Sequence, residues 1–318
     1  MRRMLLASLL ATACGGCIVT PLMMRSTLTS PPTPAQLSEL WEDPKDIATR
    51  NLFDGPWGKE LAPRPAGTYT VVTKKTTGVS PGWSVRDEHG VEWSVKQGAE
   101  AKVEVVTSRV LSAVGYHQPP VYYLARWTVD GGRLFGVSGP QSEARFRPKH
   151  DSLKDTGVWS WQENPFIGTR PYNGLRVLMM ILNESDLKNE NNTLYDVKGL
   201  DRAKSAPHRW YVVRDLGTAL GDTERLNPQR NDPALFQKTG FINGVVDGAV
   251  DFNYHGRHSE LANHITPQDV RWMCDLLARL SLEQWRDAFR AAGYDAKISE
   301  RFIARIGEKI AIGEAFAP

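Results

Sequence analysis

Residues 183–192 read Asn-Glu-Ser-Asp-Leu-Lys-Asn-Glu-Asn-Asn and residues 212–217 read Val-Val-Arg-Asp-Leu-Gly, and the predicted fold depends mainly on these two stretches. In the first, Asp186 is followed by Lys188 and then by Asn191. In the second, an apolar run leads into Asp215. A phosphoryl-transfer site needs such carboxylate, ammonium and amide groups to hold a nucleophile and metal-bound phosphates. The two stretches therefore predict phosphoryl-transfer chemistry.

The composition indicates a globular protein with balanced charge. The chain has 318 residues, of which 41% are hydrophobic, and this is enough for one large domain or two modest ones with a substantial core. Its 39 basic and 36 acidic side chains give a formal net charge of +3, and no block of lysine or arginine stands out. This balance predicts no nucleic-acid partner.

The first seventeen residues have the order of a secretory signal. Two arginines precede the apolar run of residues 4–11, and small residues follow it up to Cys17. Residues 11–14, Ala-Thr-Ala-Cys, resemble a bacterial lipobox, which predicts lipidation at Cys14, with Cys17 or an ordinary signal peptide as alternatives. The run is too short to span a membrane. We therefore expect an exported, periplasm-facing lipoprotein that is held to the membrane by a lipid anchor only.

The rest of the chain divides by composition and periodicity into three parts. Residues 18–66, rich in Ser, Thr and Pro, predict a tether and N-terminal extension. Residues 67–140 alternate like strands and include a helical spacing of valines that stops at Gly115. Residues 141–318 carry helix signals, including hydroxyl N-caps at Thr266 and Ser281. The sequence predicts an α+β fold with a small antiparallel β-rich N-terminal lobe and a mainly helical C-terminal lobe.

Further candidates for phosphate chemistry lie upstream of the two motifs. Lys96 ends an apolar strand, and Glu100 and Glu104 lie one turn apart on the following helix. A strand lysine can bind nucleotide phosphates while a helix carboxylate holds it in place, and we favour Glu104 over Glu100 for that role. Gly78 and Gly82, in the turn-prone residues 74–83, are the candidates for covering the phosphates.

The two motifs supply the remaining roles. Asp186 would orient or deprotonate the acceptor hydroxyl, and Lys188 would offset charge on the moving phosphoryl group. Asn191 and Asp215 would bind magnesium and bridge it to the phosphates. Each of these residues alone is better explained by a solvated surface or an ordinary turn. Their common order and their strand, helix and loop contexts favour the site.

Together these residues resemble the protein-kinase-like superfamily, nearer to its divergent bacterial and lipid-kinase branches than to eukaryotic protein kinases. The resemblance covers roughly residues 69–282. It implies a bilobal kinase fold, ATP or another nucleoside triphosphate in the cleft, two Mg²⁺ or Mn²⁺ ions, and transfer to a hydroxyl. The pattern departs from the family in three ways: there is no G-x-G-x-x-G loop, Ser185 stands where Arg is usual, and no Ala-Pro-Glu follows Asp215. The acceptor therefore stays open between a protein, a glycan and a lipid headgroup.

Two other functions stay open from the sequence. The histidines at positions 255, 258 and 264 have a spacing that could surround a transition metal, as in a metal-dependent hydrolase. We favour instead a polar loop near the cleft whose histidines make hydrogen bonds, because no Cys or firm carboxylate partner completes a metal site. In that loop His255 and His258 would contact the acceptor. Because ATP is scarce outside the cytoplasm, export also leaves open a catalytically silent kinase-fold scaffold of the cell envelope.

Overall fold

The computed structural model describes residues 24–75, 80–200, 208–224 and 228–317, without the side chains of residues 133 and 134. Cys14, Cys17 and Gly78 lie outside the described residues. Within those residues, none of the helices combines the length and the apolar character that crossing a membrane would require.

The described chain is a mixed α+β structure. Its strands, in chain order, are β1 Arg25–Ser26, β2 Thr68–Lys74, β3 Gly82–Arg86, β4 Glu92–Gln97, β5 Tyr122–Leu124, β6 Trp127–Asp130, β7 Ser138–Gln141, β8 Ala144–Pro148, β9 Leu153–Gly157, β10 Glu163–Asn164, β11 Asn192–Val197, β12 Arg209–Val213, β13 Ile242–Val246 and β14 Ala249–Phe252. Its α-helices are α1 Pro34–Leu37, α2 Glu100–Ala113, α3 Gly132–Phe135, α4 Arg170–Leu182, α5 Pro233–Lys238, α6 Pro267–Leu277, α7 Leu282–Ala291 and α8 Ala296–Glu314.

A seven-stranded sheet with the order β5-β8-β4-β3-β2-β6-β7 forms the first half of the structure. In β4 the buried Trp93 and Val95 alternate with more exposed residues, as a sheet with one packed face requires. The prediction of a small antiparallel sheet was wrong in two respects. The strands β2 and β6 pair in parallel, and β8 extends the sheet past residue 140 to Pro148. Pairing between distant strands is not visible in local alternation.

Helix α2 follows β4 directly and packs against β8, β4 and β5. It is buried along most of its length because valines recur at helical spacing. The helix ends before Gly115, which has a φ of +99°. A Cβ at this position would lie 2.6 Å from Trp41 Nε1, so only glycine fits both the conformation and the contact.

The second half is mainly helical, as predicted. Helix α4 begins after the N-cap Thr169 and ends at Asn183, which adopts the left-handed conformation that Asn tolerates. The helix packs against α6 and α8. The capping signals at Thr266 and Ser281 are confirmed, since both residues form capping boxes at the starts of α6 and α7. A three-stranded sheet, β12-β11-β9, and the hairpin β13-β14 accompany these helices.

Residues 24–66 differ from the loose tether expected from their composition. Leu40, Ile47 and Leu52 are buried in the same core cluster as α2 and α4. The side-chain amide of Gln284 on α7 donates to Ile47 O at 2.7 Å. These few apolar side chains anchor a segment that is otherwise polar, and a few anchors do not produce a periodic sequence pattern.

Candidate active site

Lys96, at the end of β4, lies at the centre of a charged cluster. Its ammonium nitrogen is 3.1 Å from Glu100 Oε2 and 3.1 Å from Asp215 Oδ1, and it also contacts Glu104 Oε1. Burial would lower the pKa of Lys96, but Glu104, Asp215 and Glu100 together raise it above its ordinary value. The lysine is therefore held as a cation between three carboxylates.

The sequence left the partner of Lys96 open between two glutamates of α2, and the structure brings both to it. Glu104 is fully buried, and its other oxygen accepts a hydrogen bond from Arg145 Nε at 2.8 Å. Burial would raise the pKa of Glu104, but Arg145 and Lys96 hold it below its usual range. Glu100 is shared between Lys96 and Arg230. Glu104 is the more deeply buried of the two partners.

Asp215 follows β12 and takes the left-handed conformation, with a φ of +55°. Its side chain is 41% exposed, so it lies at the surface of the cleft. Partial burial would raise the pKa of Asp215, but Lys96, Arg147 and Arg145 lower it well below its ordinary value. Asp215 is therefore an anion throughout the physiological range.

Asp186, Lys188 and Asn191 form a second group on the loop after α4. Lys188 Nζ lies 2.9 Å from Asp186 Oδ2, and Asn191 Nδ2 donates to Asp186 O at 2.8 Å. Arg257 joins the group: its Nε is 3.6 Å from Asp186 Oδ1 and its backbone forms a bridge with Asp186. The loop therefore presents one carboxylate with two cations beside it.

Direct hydrogen bonds tie the two groups together. The backbone N–H of Arg214 donates to Asn191 O at 3.1 Å, and Ser185 Oγ donates to Thr218 O at 3.4 Å. The first turn of helix α2 packs closely against the loop that carries Asp215. A Cβ on Gly217 in that loop would lie only 2.5 Å from Glu100 Cβ. The two motifs and the first turn of α2 thus converge on one cleft.

Sequence reasoning missed three residues of this cleft. Arg145 and Arg147 both contact Glu104, and both come from β8. Residues 144–148 read Ala-Arg-Phe-Arg-Pro, so small or apolar side chains alternate with arginines. This alternation could have predicted a strand with both arginines on one face. The third is Glu184, which is fully buried beside Asp186. Burial raises its pKa to about 8, and Thr218 Oγ1 and the Asp186 N–H donate to its Oε1.

The chemistry of the cleft suits a hard divalent cation. Magnesium prefers oxygen ligands and commonly takes one or two protein groups, with water and phosphate completing its shell. Asn191 Nδ2 donates to Asp186 O, and Asp215 Oδ1 accepts from Lys96 Nζ. The other oxygens of these side chains, Asn191 Oδ1 and Asp215 Oδ2, make no hydrogen bond with the described residues. These two oxygens are the ones able to ligate such an ion.

Gly82 lies in β3 opposite Lys96 in the strand register. A Cβ there would come within 2.8 Å of Lys75 Cδ and 3.3 Å of Val95 O. Its position beside Lys96 is compatible with the predicted phosphate contact, whereas its partner in that prediction, Gly78, lies outside the described residues.

The three histidines do not form a common site. His255 Nε2 pairs with Asn253 Oδ1 at 2.8 Å, and His258 Nδ1 pairs with Glu260 Oε1 at 2.9 Å. In the described part of the chain no group of three or more His, Cys, Asp or Glu side chains is placed to hold a metal ion. The alternative of a transition-metal cluster at His255, His258 and His264 was therefore wrong, and the favoured interpretation, a polar loop with hydrogen-bonded histidines, agrees with the bonds of His255 and His258.

No protein-family profile and no curated protein sequence matches this chain. Among solved structures, it is similar to the crystal structure of the proinflammatory kinase CtkA of Helicobacter pylori, with a TM-score of 0.44 and 9% sequence identity. The similarity covers 79% of this chain and 98% of the Helicobacter pylori chain. At this level of similarity the function of the Helicobacter pylori protein does not apply to this chain.

Proposed function

We propose that this chain is a kinase-like phosphotransferase that moves the terminal phosphoryl group of a nucleoside triphosphate to a hydroxyl. One observation carries the proposal: Lys96 is bound at once by two carboxylates of α2 and by Asp215, next to the loop of Asp186 and Asn191. Burying charged groups is costly, and clusters of charged groups with shifted pKa values are concentrated at functional sites, which favours an active site over a scaffold.

The charged groups divide the work of phosphoryl transfer between them. Lys96 would bind the phosphates, and Glu104 holds its ammonium in place. Arg147 adds positive charge at the same place, and its Nε is buried with no hydrogen-bond partner among the described residues. Asp215 and Asn191 would hold a divalent ion, which supplies charge neutralisation on the phosphates when bound.

The acceptor side belongs to the loop after α4. Asp186 would accept the proton of the incoming hydroxyl or orient it, and Lys188, whose Nζ is 2.9 Å from Asp186 Oδ2, would offset charge on the transferred group. Arg257 would contact the acceptor from the loop that also carries His255 and His258. We propose a protein, glycan or lipid-headgroup hydroxyl as the acceptor. We further propose that residues 1–17 act as a secretory signal and that the chain is an exported lipoprotein of kinase-like, bilobal fold.

Thermal melting of the purified full-length chain tests the proposal. ATP, GTP and ADP are added with and without Mg²⁺ or Mn²⁺, and at least one metal–nucleotide pair should raise the melting temperature. Binding at one hundred times the dissociation constant adds about 2.7 kcal/mol to the free energy of unfolding. If no nucleotide produces a shift under any of these conditions, the catalytic proposal fails and the silent scaffold is preferred.

Two variants separate binding from transfer. Asp215→Ala should abolish the metal-dependent shift, whereas Asp186→Asn should keep it and lose transfer of a labelled γ-phosphate. Asp275→Asn, at an exposed position of α6 paired with Arg271, is the matched control and should change neither. Unchanged phosphoryl transfer in Asp186→Asn would contradict the assigned role.

A further inference from the structure

A cavity lies between residues 42–57 and the C-terminal end of α2, and its lining includes none of the charged groups around Lys96. It has a volume of about 250 Å³. Three of the residues that line it, Asp46, Asn51 and Pro56, are exposed, so the cavity opens to solvent. Its volume is slightly below the range of about 300–1,000 Å³ that is typical of drug-sized sites. The cavity has room for a small molecule.

Arg109 of α2 lines this cavity and is 3% exposed. Its Nε is buried with no hydrogen-bond partner, and in the described part of the chain its guanidinium makes no hydrogen bond and no ion pair. It lies 5.5 Å from the ring centroid of Tyr122, and a Cβ on Gly55 would be 2.5 Å from its Cζ. Burial lowers the pKa of Arg109 to about 10. A buried cation that makes no hydrogen bond and no ion pair is costly.

The other two deeply buried arginines of the described chain each donate several hydrogen bonds, although Arg176 Nε, like Arg109 Nε, has no partner among the described residues. Arg145, 1% exposed, binds Glu104 Oε2 and Ser94 O, each at 2.8 Å. Arg176, 2% exposed, donates to two backbone carbonyls and to Asn173 Oδ1. Arg109 differs from both because no acceptor among the described residues lies within hydrogen-bond distance of its guanidinium, and Asp54 acts on it only through a longer-range attraction.

Arg50, the other arginine of the cavity, is already neutralised. It lies 2.8 Å from Asp46 Oδ1 and donates to the carbonyls of Ser112 and Ala113 at the end of α2. Cations at a helix C-terminus are stabilised by the exposed carbonyls there. Of the two arginines that line the cavity, Arg109 is therefore the one whose charge is not met by a hydrogen bond or an ion pair among the described residues.

We propose that this cavity binds a small organic monocarboxylate, whose carboxylate pairs with Arg109. A guanidinium binds a carboxylate through two parallel hydrogen bonds, which would satisfy the buried nitrogens. Trp57 and Trp210 line the cavity and suit a planar apolar body. Glu42 and Asp46 also line it and disfavour a multiply charged anion such as a phosphate ester. The site is independent of the phosphotransferase cleft.

Benzoate is the probe for this site, with benzyl alcohol as its uncharged analogue. On the purified full-length chain without nucleotide, benzoate should raise the melting temperature as its concentration increases, and benzyl alcohol should not. In Arg109→Met the dissociation constant measured by calorimetry should be weaker by about tenfold or more. Without ligand, Arg109→Met should melt no lower than the wild type, because the substitution removes an unpaired buried charge.

Arg176→Met is the matched control, since it removes a buried arginine whose two Nη atoms are hydrogen-bonded to protein acceptors. It should melt lower than the wild type and still bind benzoate. Three results would overturn the proposal. The first is that Arg109→Met binds benzoate as tightly as the wild type does. The second is that Arg109→Met fails to fold while Arg176→Met folds. The third is that inorganic phosphate raises the melting temperature more than benzoate does, and that this rise depends on Arg109.

Discussion

Arg145 Nε lies 2.8 Å from Glu104 Oε2, while the other oxygen of the same carboxylate contacts Lys96. One buried carboxylate therefore links β8 to the lysine at the end of β4. Arg145 is therefore a positioning residue of the proposed site: it holds Glu104, and Glu104 in turn holds the ammonium of Lys96 that would meet the phosphates.

Replacing Arg145 by methionine tests this link. The side chain keeps its length but loses the charge, and Glu104 loses one of its buried partners. Breaking a buried ion pair by removing one member typically costs about 3–5 kcal/mol. We expect a loss of that order in the free energy of unfolding, measured by urea titration, together with weaker metal–nucleotide binding.

The control for this substitution is Arg286→Met, which removes an exposed arginine that lies 2.7 Å from Glu300. Exposed pairs contribute little, so stability should be almost unchanged. A positioning role for Arg145 also predicts that Arg145→Lys recovers part of the nucleotide affinity. If Arg145→Met were as stable as Arg286→Met, the linking role of Glu104 would be wrong.

Glu184 predicts a pH dependence of stability. Burial raises the pKa of Glu184 in the folded state to about 8, above the ordinary value of 4.5, so the folded state keeps a proton that the unfolded state releases. The resulting stabilisation is complete below about pH 4.5, decreases as the pH rises, and is lost above about pH 8. Above that pH the wild type carries a buried carboxylate whose Oε2 has no hydrogen-bond partner among the described residues.

Glu184→Gln removes this titration while its carbonyl can still accept from Thr218 and from the Asp186 N–H. Relative to the wild type, the variant should gain stability between pH 6 and pH 9, by on the order of a few kcal/mol. Urea unfolding at both pH values measures the difference. Glu283→Gln, at an exposed glutamate in the first turn of α7, should show no such gain. Parallel pH profiles for Glu184→Gln and the wild type would contradict the prediction.

The parts of the cleft that could be predicted from sequence are those set by local order. Lys96 and the α2 glutamates are close in the chain, so strand and helix periodicity already place them together. The motif residues Asp186 and Asn191 also lie on one loop. Their roles remain predictions, but their proximity followed from spacing alone.

The parts that could not be predicted depend on contacts between distant segments. Arg145 meets Glu104 only because β8 inserts between β5 and β4 in the sheet. Gly55 meets Arg109 only because residues 24–66 pack on α2. Neither pairing produces a periodic pattern in the sequence. Each involves one residue of a segment, and the hydrophobic pattern of that segment depends on its other residues.

Gly217 illustrates the same limit and provides the last prediction. In the sequence it follows Asp215-Leu216 as an ordinary turn glycine. In the structure a Cβ on it would lie 2.5 Å from Glu100 Cβ and 3.2 Å from Glu100 Cα, so the glycine allows the first turn of α2 to reach the Asp215 loop. Gly217→Ala must push helix and loop apart, and such overpacking typically costs about 1–3 kcal/mol.

Gly307→Ala is the matched control, because a Cβ at this exposed position of α8 would meet nothing within 4 Å. Alanine in a helix interior is favoured over glycine by about 1 kcal/mol, so this variant should melt higher than the wild type. Gly217→Ala should melt lower and bind metal–nucleotide more weakly, since Lys96 and Asp215 are held across the same contact. Were both alanine variants to melt above the wild type, the close approach of α2 to the Asp215 loop would not exist in solution.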